Sequence, residues 1–344
     1  MSLRCALVGT GNWAASALLP ALRAQAGVTV AACVAGTPAE AQQFAAAHQI
    51  AKAYATLEEM LAGEALDVAV VSTPDHVHAA AVKLLIERKI AVYCEKPLSN
   101  DAPEAHALVA LQRAREVPAT VGYSFRFNPA VQALKADLDR GAFGDIWLIE
   151  LAEHNPQFHP HSGKTLNWKG DPSQAAGGAL FEYGSHVIDM GAWLLGPIAR
   201  VSAGFKRVLP GARLDDIATL QMEFASGVQG MLIASWVLTG GFPGTRVKLH
   251  GSEAVGEVLL DDRLPGGQRY LFAPAFGPGG EARTLPAMAI PRSDAATRHI
   301  TAFLEQVRGG GANATLPTLA QAAHVQDVLA AALRAEKQWQ QVGV

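Results

Sequence analysis

The chain has 344 residues, of which 50% are apolar and 17% are charged, and its 28 basic and 31 acidic residues give a net charge of −3. This length exceeds what one hydrophobic core usually organises, so we expect two domains. The sequence has no basic stripe, no apolar stretch of about 20 residues and no leader-like opening, which argues against a nucleic-acid partner, a membrane span and secretion and predicts a cytoplasmic protein.

Short apolar runs alternate with helix-like stretches along the first 122 residues. The predicted strands are Arg4–Val8, Val28–Val34, Val68–Ser72, Ile90–Cys94 and Ala119–Gly122, and the predicted helices are Trp13–Ala26, Ala39–His48, His76–Arg88 and Pro103–Arg115. Such alternation indicates right-handed crossovers and a doubly wound parallel sheet. We therefore assign residues 1–122 to a Rossmann domain of an α/β protein.

The pattern then changes to runs of strands. Helix Pro129–Arg140 is followed by the predicted strands Asp145–Glu153, Val201–Val208, Ala218–Phe224, Val228–Val237, Thr245–His250 and Val255–Leu260. A Gly/Pro-rich loop is predicted over 265–291, and helices Ala295–Arg308 and Leu319–Gln340 close the chain. Strand runs with hairpin spacing indicate a large open, mostly antiparallel sheet, so residues 123–344 form a second α/β domain.

A glycine-rich turn follows the first predicted strand and opens the first helix. Its residues are Gly9, Thr10, Gly11, Asn12, Trp13 and Ala14, a G-x-G-x-x-A motif. In this context Gly9 permits the tight turn, Gly11 lets the backbone approach a pyrophosphate, and Ala14 allows close helix–strand packing. Although a glycine turn can be purely structural, the surrounding alternation favours a dinucleotide site.

The end of the second strand bears on the choice between NAD and NADP. An NAD site usually has an acidic residue here to bind the ribose 2′-hydroxyl. The chain has Ala35, Gly36 and Thr37 instead, with no neighbouring arginine to hold a 2′-phosphate. The missing carboxylate favours NADP slightly, and the alternative is that this loop does not determine the cofactor.

Two further loops follow parallel strands and should lie at the same edge as the glycine turn. The first contains Ser72, Thr73 and Pro74, and the second contains Glu95 and Lys96. Ligands of open α/β sheets bind at the carboxyl ends of the strands, so both loops are candidates for cofactor contact. Lys96 has the charge to stabilise a developing alkoxide. The structural alternatives are that the first loop only starts a helix and that Lys96 is a surface residue.

A second candidate site begins at Gly177-Gly178 and continues into a predicted helix. Glu182 and His186 are four residues apart, hence on one helix face. A carboxylate one turn before a histidine can orient the imidazole and raise its pKa, which suits a general acid or base. Most isolated pairs of this kind are surface pairs, but the two glycines favour close approach of a ligand.

Three histidines cluster at His154, His159 and His161. A zinc site needs three or four ligands in a closed geometry, whereas prolines flank His159 and indicate a loop. We therefore predict no metal site here and interpret the cluster as a solvated loop, with substrate contact as the alternative.

In this order, the motifs resemble those of the Gfo/Idh/MocA oxidoreductase family, which includes glucose–fructose oxidoreductase and inositol dehydrogenases. The resemblance runs over essentially the whole chain and also includes His78 after Thr73-Pro74, and Tyr123 and Arg126 in GYSFRFNP. It implies a second domain that binds substrate and forms dimers or tetramers. The implied cofactor-binding residues include His78, Glu95, Lys96 and Arg126, and the implied substrate-binding residues are Lys96, Tyr123, Trp168, Glu182 and His186.

The resemblance also implies a reaction. His186 matches the family's proton-transfer histidine and Lys96 its E-K-P lysine, whereas Glu182 replaces the usual Asp and puts the standard geometry at that position in doubt. The implied activity is hydride transfer between nicotinamide and a secondary alcohol or ketone of a sugar, amino-sugar or polyol. A non-catalytic NAD(P)-binding sensor and a redox-assisted glycosidase, which regenerates its cofactor, are the alternatives.

Overall fold

The computed structural model forms two compact units. It describes residues 2–166, 168–173, 175–239, 244–261, 267–274, 283–284, 292–335 and 340–342. The first unit comprises Met1–Ser124 and Arg292–Ala323, and the second comprises Phe125–Pro291 and His324–Val344. The predicted division into 1–122 and 123–344 therefore differs from these units, because a segment near the end of the chain packs with the first one.

The first unit contains a six-stranded parallel sheet. Its strands are β1 Leu3–Val8, β2 Val28–Val34, β3 Lys52–Tyr54, β4 Val68–Val71, β5 Ala91–Cys94 and β6 Ala119–Val121. Their order in the sheet is β3-β2-β1-β4-β5-β6, and every pairing is parallel. β4 and β5 are buried throughout, as expected of strands covered on both faces. The predicted Rossmann architecture is confirmed.

Helices connect these strands and cover the sheet. They are α1 Leu19–Arg23, α2 Pro38–Ala47, α3 Leu57–Gly63, α4 Asp75–Glu87 and α5 Ala102–Arg115, and a π-helical segment, Ala14–Leu18, precedes α1. The sequence analysis did not predict β3 or α3. Asp75 is the first residue of α4, and Pro74 holds the cap position.

The segment returning to the first unit begins with helix α8, Arg292–Val307. The ring of Tyr93, a fully buried residue of β5, lies 4.8 Å from His299 and 6.3 Å from Phe303, measured between centroids. His299 Nε2 also lies 3.0 Å from the hydroxyl of Thr120 in β6. These contacts explain why 292–323 belongs to the Rossmann unit although it follows the second domain in sequence.

The second unit contains a nine-stranded sheet. Its strands are β7 Ile146–His154, β8 Ile198–Lys206, β9 Ile217–Phe224, β10 Gln229–Ser235, β11 Gly244–Gly251, β12 Ala254–Leu260, β13 Gln268–Pro274, β14 Arg283–Thr284 and β15 Gln340–Gln341. Their order is β14-β13-β12-β11-β7-β10-β9-β8-β15, and only the β7–β10 pairing among these described strands is parallel. The predicted large, mostly antiparallel sheet is confirmed.

One face of this sheet is covered by helices and the other is open. The helices that lie wholly in this unit are α6 Pro129–Asp139 and α7 Ser185–Leu195, and a π-helical segment, Leu180–Gly184, leads into α7. Helix α9, Leu319–Arg334, begins in the first unit and belongs to the second from His324 onward. Side chains alternate between buried and accessible along β7, β9, β10 and β11. This alternation is typical of an antiparallel sheet with one face toward the core.

Two elements differ from the prediction for the C-terminal part. The stretch 265–291, predicted as loop, contains β13 and β14, and its remaining residues lie outside the described ranges. The last helix ends at Arg334, and Gln340, predicted to end it, belongs to β15. Within the described part of the chain, no helix is both long and apolar enough to cross a bilayer.

Candidate active site

Gly9 sits where three strand ends of the parallel sheet meet. Its φ is +104°, a conformation that favours glycine, and a Cβ at this position would lie 2.3 Å from the carbonyl oxygen of Ser72. Its N–H donates to the carbonyl of Val34 over 2.9 Å. Gly9 therefore allows the turn after β1 to pack tightly against the ends of β2 and β4.

Gly11 has the opposite surroundings. Apart from its own chain neighbours, no atom of the residues that the structure describes lies within 4 Å of the place a Cβ would occupy, so the backbone here is open to a ligand. The helical stretch through Ala14–Leu18 starts directly after it, and Ala14 is fully buried. An open backbone at the start of a helix suits the phosphates of a dinucleotide, because free N–H groups and the positive helix end favour anions. The residues present therefore fit such a cofactor.

The loop after β2 carries a feature that the sequence analysis missed. Thr37, a candidate for cofactor binding, caps α2, since its hydroxyl oxygen accepts a hydrogen bond from the N–H of Glu40 over 3.2 Å. The carboxylate of Glu40 lies 3.5 Å from the position of a Cβ on Gly36. A carboxylate is thus present beside this loop, although neither Ala35 nor Gly36 supplies one.

Glu95 links the second candidate loop to the glycine turn. Its carboxylate accepts a 2.8 Å hydrogen bond from the indole N–H of Trp13. Gly122 lies beside it, since a Cβ there would come within 2.8 Å of the carboxylate and displace it. Burial raises the pKa of Glu95, and the Trp13 hydrogen bond opposes that rise. Glu95 therefore holds Trp13, which is 37% exposed, at the glycine turn.

His78 joins the loops that carry Thr73 and Lys96. Its Nδ1 lies 2.6 Å from the carbonyl oxygen of Pro97, and its Nε2 lies 2.9 Å from that of Thr73. The residue is 1% exposed. Burial lowers the pKa of the imidazole, and the two carbonyl oxygens oppose that change. His78 thus connects the loop after β4 with the loop after β5, at the edge of the sheet where a cofactor is expected.

In the second unit, Glu182 and His186 occupy one continuous helical stretch. Glu182 lies in the π-helical segment and His186 in the first turn of α7. The carboxylate of Glu182 forms an ion pair with the ammonium group of Lys169, 2.5 Å away, and the ring of His186 stacks on Phe125 with centroids 4.5 Å apart. π-Helical turns often occur at functional sites. The role predicted for Glu182 beside His186 stays a prediction, whereas its pairing with Lys169 is a feature that the sequence analysis missed.

The two glycines before this stretch are required by the protein itself. A Cβ on Gly177 would lie 2.2 Å from the ring of Phe181, and one on Gly178 would lie 2.0 Å from the carbonyl oxygen of Asp215. Protein atoms thus give both glycines a structural reason, and the interpretation that they let a ligand approach stays a prediction.

Arg126 is buried and paired. Its Nε donates to Asp189 Oδ2 over 2.8 Å, its terminal nitrogen lies 2.5 Å from Oδ1, and its guanidinium packs over the ring of Trp193. Burial raises the pKa of Asp189, while Arg126 opposes that rise. This pair joins the segment before α6 to α7, and the predicted role of Arg126 in cofactor binding stays a prediction.

The structure brings some predicted residues together and leaves others separate. The backbone of Gly9 packs against Ser72, and the indole of Trp13 donates a hydrogen bond to Glu95. The imidazole of His78 lies within hydrogen-bond distance of the Thr73 carbonyl. Tyr123 is buried, and Trp168 belongs to a short 3-10 turn with Lys169, its side chain lying outside the described part. Among the three clustered histidines, the rings of His159 and His161 lie 5.1 Å apart.

Together these features define an α/β protein with a dinucleotide-binding Rossmann unit and a second unit built on an open sheet. The first unit matches the family model described as "Oxidoreductase family, NAD-binding Rossmann fold" over residues 3–123, and the second matches "GFO/IDH/MocA C-terminal domain" over residues 131–256. The chain belongs to the Gfo/Idh/MocA family of NAD-binding oxidoreductases.

Several known proteins are similar to it. Trans-1,2-dihydrobenzene-1,2-diol dehydrogenase of Bos taurus is 31% identical over 60% of this chain, and the match spans 59% of that enzyme's length. D-apiose dehydrogenase of Rhizobium rhizogenes is 26% identical over 76% of this chain and 75% of its own. The solved structure of levoglucosan dehydrogenase in complex with NADH and levoglucosan has a TM-score of 0.90 and 22% identity, with both chains covered completely.

Proposed function

We propose that the protein is an NAD(P)-dependent dehydrogenase that oxidises a secondary alcohol of a sugar, amino-sugar or polyol, or reduces the corresponding ketone. The observation that carries the proposal is the occurrence of both family motifs in one chain, the glycine turn with open space at Gly11 and the helical stretch with His186. Residues 1–122 would bind the cofactor, and residues 123–344 would bind the substrate.

Each candidate side chain has a distinct task in this proposal. His186 takes the proton of the substrate hydroxyl, and Lys96 stabilises the negative charge that develops on the same oxygen. The bound nicotinamide supplies a hydride acceptor at its C4. Gly11 and the adjoining helix start hold the pyrophosphate, while Trp13, fixed by Glu95, lines the turn. Glu182 binds or orients the substrate, together with Trp168 and Tyr123.

NADP is expected to bind at least as well as NAD. The loop after β2 places no carboxylate at Ala35 or Gly36, where one would repel a 2′-phosphate. Glu40 is the carboxylate that acts against this preference, and because its side chain is exposed, solvent screens its charge.

We also propose a homodimer or homotetramer that forms through the open sheet face. Met231 and Ile233 of β10 are 51% and 37% exposed on this face. Beside them lies a shallow cavity of about 200 Å³, lined by residues of β7, β10, β11 and β12. A hydrogen bond between Glu150 and His250 and an ion pair between Arg246 and Glu257 flank the apolar side chains. Apolar patches of this kind mark interaction sites, and a second copy of the face fits the usual symmetry of oligomers.

A cytoplasmic location is part of the proposal. The three cysteines of the chain, Cys5, Cys33 and Cys94, are buried free thiols. Burial raises the pKa of Cys5 to about 12 and that of Cys33 to about 11. Unreactive free thiols are what a reducing compartment maintains.

The direct test is a screen of sugars, amino-sugars and polyols with NAD and with NADP, read by the absorbance of the reduced nicotinamide. We expect sustained, stoichiometric reduction with at least one substrate. Binding without any turnover across the screen would overturn the dehydrogenase and favour a sensor. Product release without net cofactor reduction would favour a redox-assisted glycosidase.

A further inference from the structure

One buried carboxylate anchors the start of the helical stretch that carries Glu182 and His186. Three consecutive N–H groups at this start donate to Asp215: Gly178 to Oδ1 over 3.0 Å, Ala179 to the main-chain carbonyl over 2.9 Å, and Leu180 to Oδ2 over 2.8 Å. Asp215 is 6% exposed. Because the first N–H groups of a helix have no partner within it, this single residue supplies what the helix start lacks.

The backbones of Gly178 and Asp215 are in close contact. Gly178 approaches Asp215 so closely that any side chain at 178 would overlap the carbonyl oxygen of 215. Asp215 lies two residues before Ile217, the first residue of β9. The helix start is therefore fixed to the sheet by hydrogen bonds and by contact, which leaves it little freedom to rotate or slide.

The charge of Asp215 suits this position. The N-terminal end of a helix carries a partial positive charge, which favours a carboxylate. Burial raises the pKa of Asp215, and the hydrogen bonds from Leu180 and Gly178 oppose that rise. A neutral side chain of the same shape would keep the volume but lose both the charge and one of its two acceptors.

We propose that Asp215 is a positioning residue for the proton-transfer histidine, setting where the π-helical turn begins and hence where Glu182 and His186 point. The inference rests on the proposed function. The link is short, because the N–H of Glu182 donates to the carbonyl of Gly178 over 3.0 Å and His186 follows one turn later. A shift of the anchored end is therefore passed directly to both side chains, and misplacement by about 1 Å can cost as much as 10²-fold in rate.

The neighbouring Asp216 provides a matched control. It is fully buried, and its carboxylate accepts hydrogen bonds from the N–H groups of Val208 and Leu209 and from the indole of Trp236. These donors lie outside the helical stretch that carries His186. Asp215→Asn and Asp216→Asn thus remove the same charge from adjacent, equally buried positions, and only the first change touches the proposed catalytic helix.

The experiment compares both variants with the wild-type protein in the full chain. Rates are expressed per nicotinamide-binding site, and hydrogen exchange of amides 178–182 is followed by mass spectrometry. For Asp215→Asn we expect faster exchange of these amides, a kcat lower by about tenfold or more and unchanged nicotinamide affinity. The apparent pKa on the rate profile should also change, because the His186 imidazole is displaced from its position. For Asp216→Asn we expect a lower melting temperature with an unchanged kcat and pH profile.

The outcomes separate this inference from the proposed function. If Asp215→Asn exchanged faster yet kept the wild-type kcat and pH profile, Asp215 would be a structural cap only and the inference would be overturned. Equal losses of kcat in both variants would overturn it too. Should Asp215→Asn fail to fold, Asp215→Ser introduces no larger side chain and keeps one oxygen that can accept from the helix start, and the same loss of kcat is expected. If the wild-type protein turned over no substrate, the proposed function itself would fail.

Discussion

Two glycines in the same turn have opposite surroundings, which separates their effects on folding and binding. Gly11→Val should abolish nicotinamide binding and leave the fold intact, because the new side chain enters open space where a pyrophosphate would lie. Gly9→Ala should lower the free energy of unfolding by more than about 1 kcal/mol, since φ is positive and the carbonyl of Ser72 is in the way. Titration calorimetry and thermal denaturation of both variants test this pair. Unchanged affinity in Gly11→Val would remove the dinucleotide site from this turn.

The proposed catalytic residues lead to a second prediction. Lys96→Ala and His186→Ala should each lose about a hundredfold or more in kcat while nicotinamide affinity changes little, because each removes a group that acts on the reacting oxygen. Glu182→Asp should be milder, since it keeps a carboxylate in reach of Lys169. Steady-state kinetics with a substrate from the screen decide the matter. Near wild-type turnover in both alanine variants would exclude the mechanism proposed for them.

Cofactor preference depends on two carboxylate positions in the loop after β2. Ala35→Asp should shift preference toward NAD, because a new carboxylate repels a 2′-phosphate. Glu40→Gln should shift it toward NADP by removing the carboxylate near Gly36. Affinities for both cofactors, measured at low and high salt, test the charge argument, and a shift that does not weaken with salt would contradict it.

Local motifs made part of this site predictable. Gly9 and Gly11 were identified because their roles depend on a strand, a turn and a helix that are adjacent in sequence. Lys169 and Asp215 were missed because each acts through a contact that forms only on folding. Glu40 could have been found, because it stands three residues after the capping residue Thr37, which is the spacing of a capping box. Lys169 reaches a residue 13 positions away and Asp215 one 37 positions away, and no spacing rule connects such pairs.

At the scale of single elements, long periodic segments were predictable and short ones were not. β2 has seven residues and α5 has fourteen, which is long enough for a strand or helix pattern to be recognised. β3 has only three residues, and it is stabilised by its pairing with β2 and not by a pattern in its own sequence. β13 was hidden in a Gly/Pro-rich stretch and forms through its ladder with β12. A strand forms by pairing with a neighbouring strand, so a prediction from the sequence pattern alone misses strands such as these.

The end of β7 provides a prediction of pH dependence. Burial lowers the pKa of His154, which lines the cavity on the open sheet face, so the folded protein keeps this imidazole neutral. The unfolded chain binds a proton as pH falls below about 6.5, and the folded protein does so only at lower pH. The free energy of unfolding should therefore decrease as pH falls below about 6.5.

Denaturant titrations at pH 7.5 and 5.5 measure this change. His154→Gln should make stability less dependent on pH, and His161→Gln, at an exposed position, should not. Equal pH dependence in the wild-type protein and His154→Gln would show that this group does not contribute.

For the whole molecule, the open sheet face predicts self-association. Met231→Glu should produce monomers, because burying an unpaired charge in an apolar interface is unfavourable. Leu333→Glu is the control, since Leu333 is a similarly exposed apolar residue, 48% accessible, on helix α9 and not on a strand of the sheet. Analytical ultracentrifugation at micromolar concentration should show a dimer or tetramer for the wild-type protein and Leu333→Glu. A monomeric wild-type protein would exclude the proposed assembly.

The return of residues 292–323 to the Rossmann unit also affects how the protein is made. Strands β1–β6 leave the ribosome early, yet α8, which packs on Tyr93 and Thr120, follows only after 125–291 have been synthesised. At about 5–20 residues per second, this interval lasts on the order of 10–30 s. During that time the parts of β5 and β6 that α8 contacts in the folded protein lack this helix, and apolar surface is exposed there. The unit that begins the chain is therefore among the last to be completed.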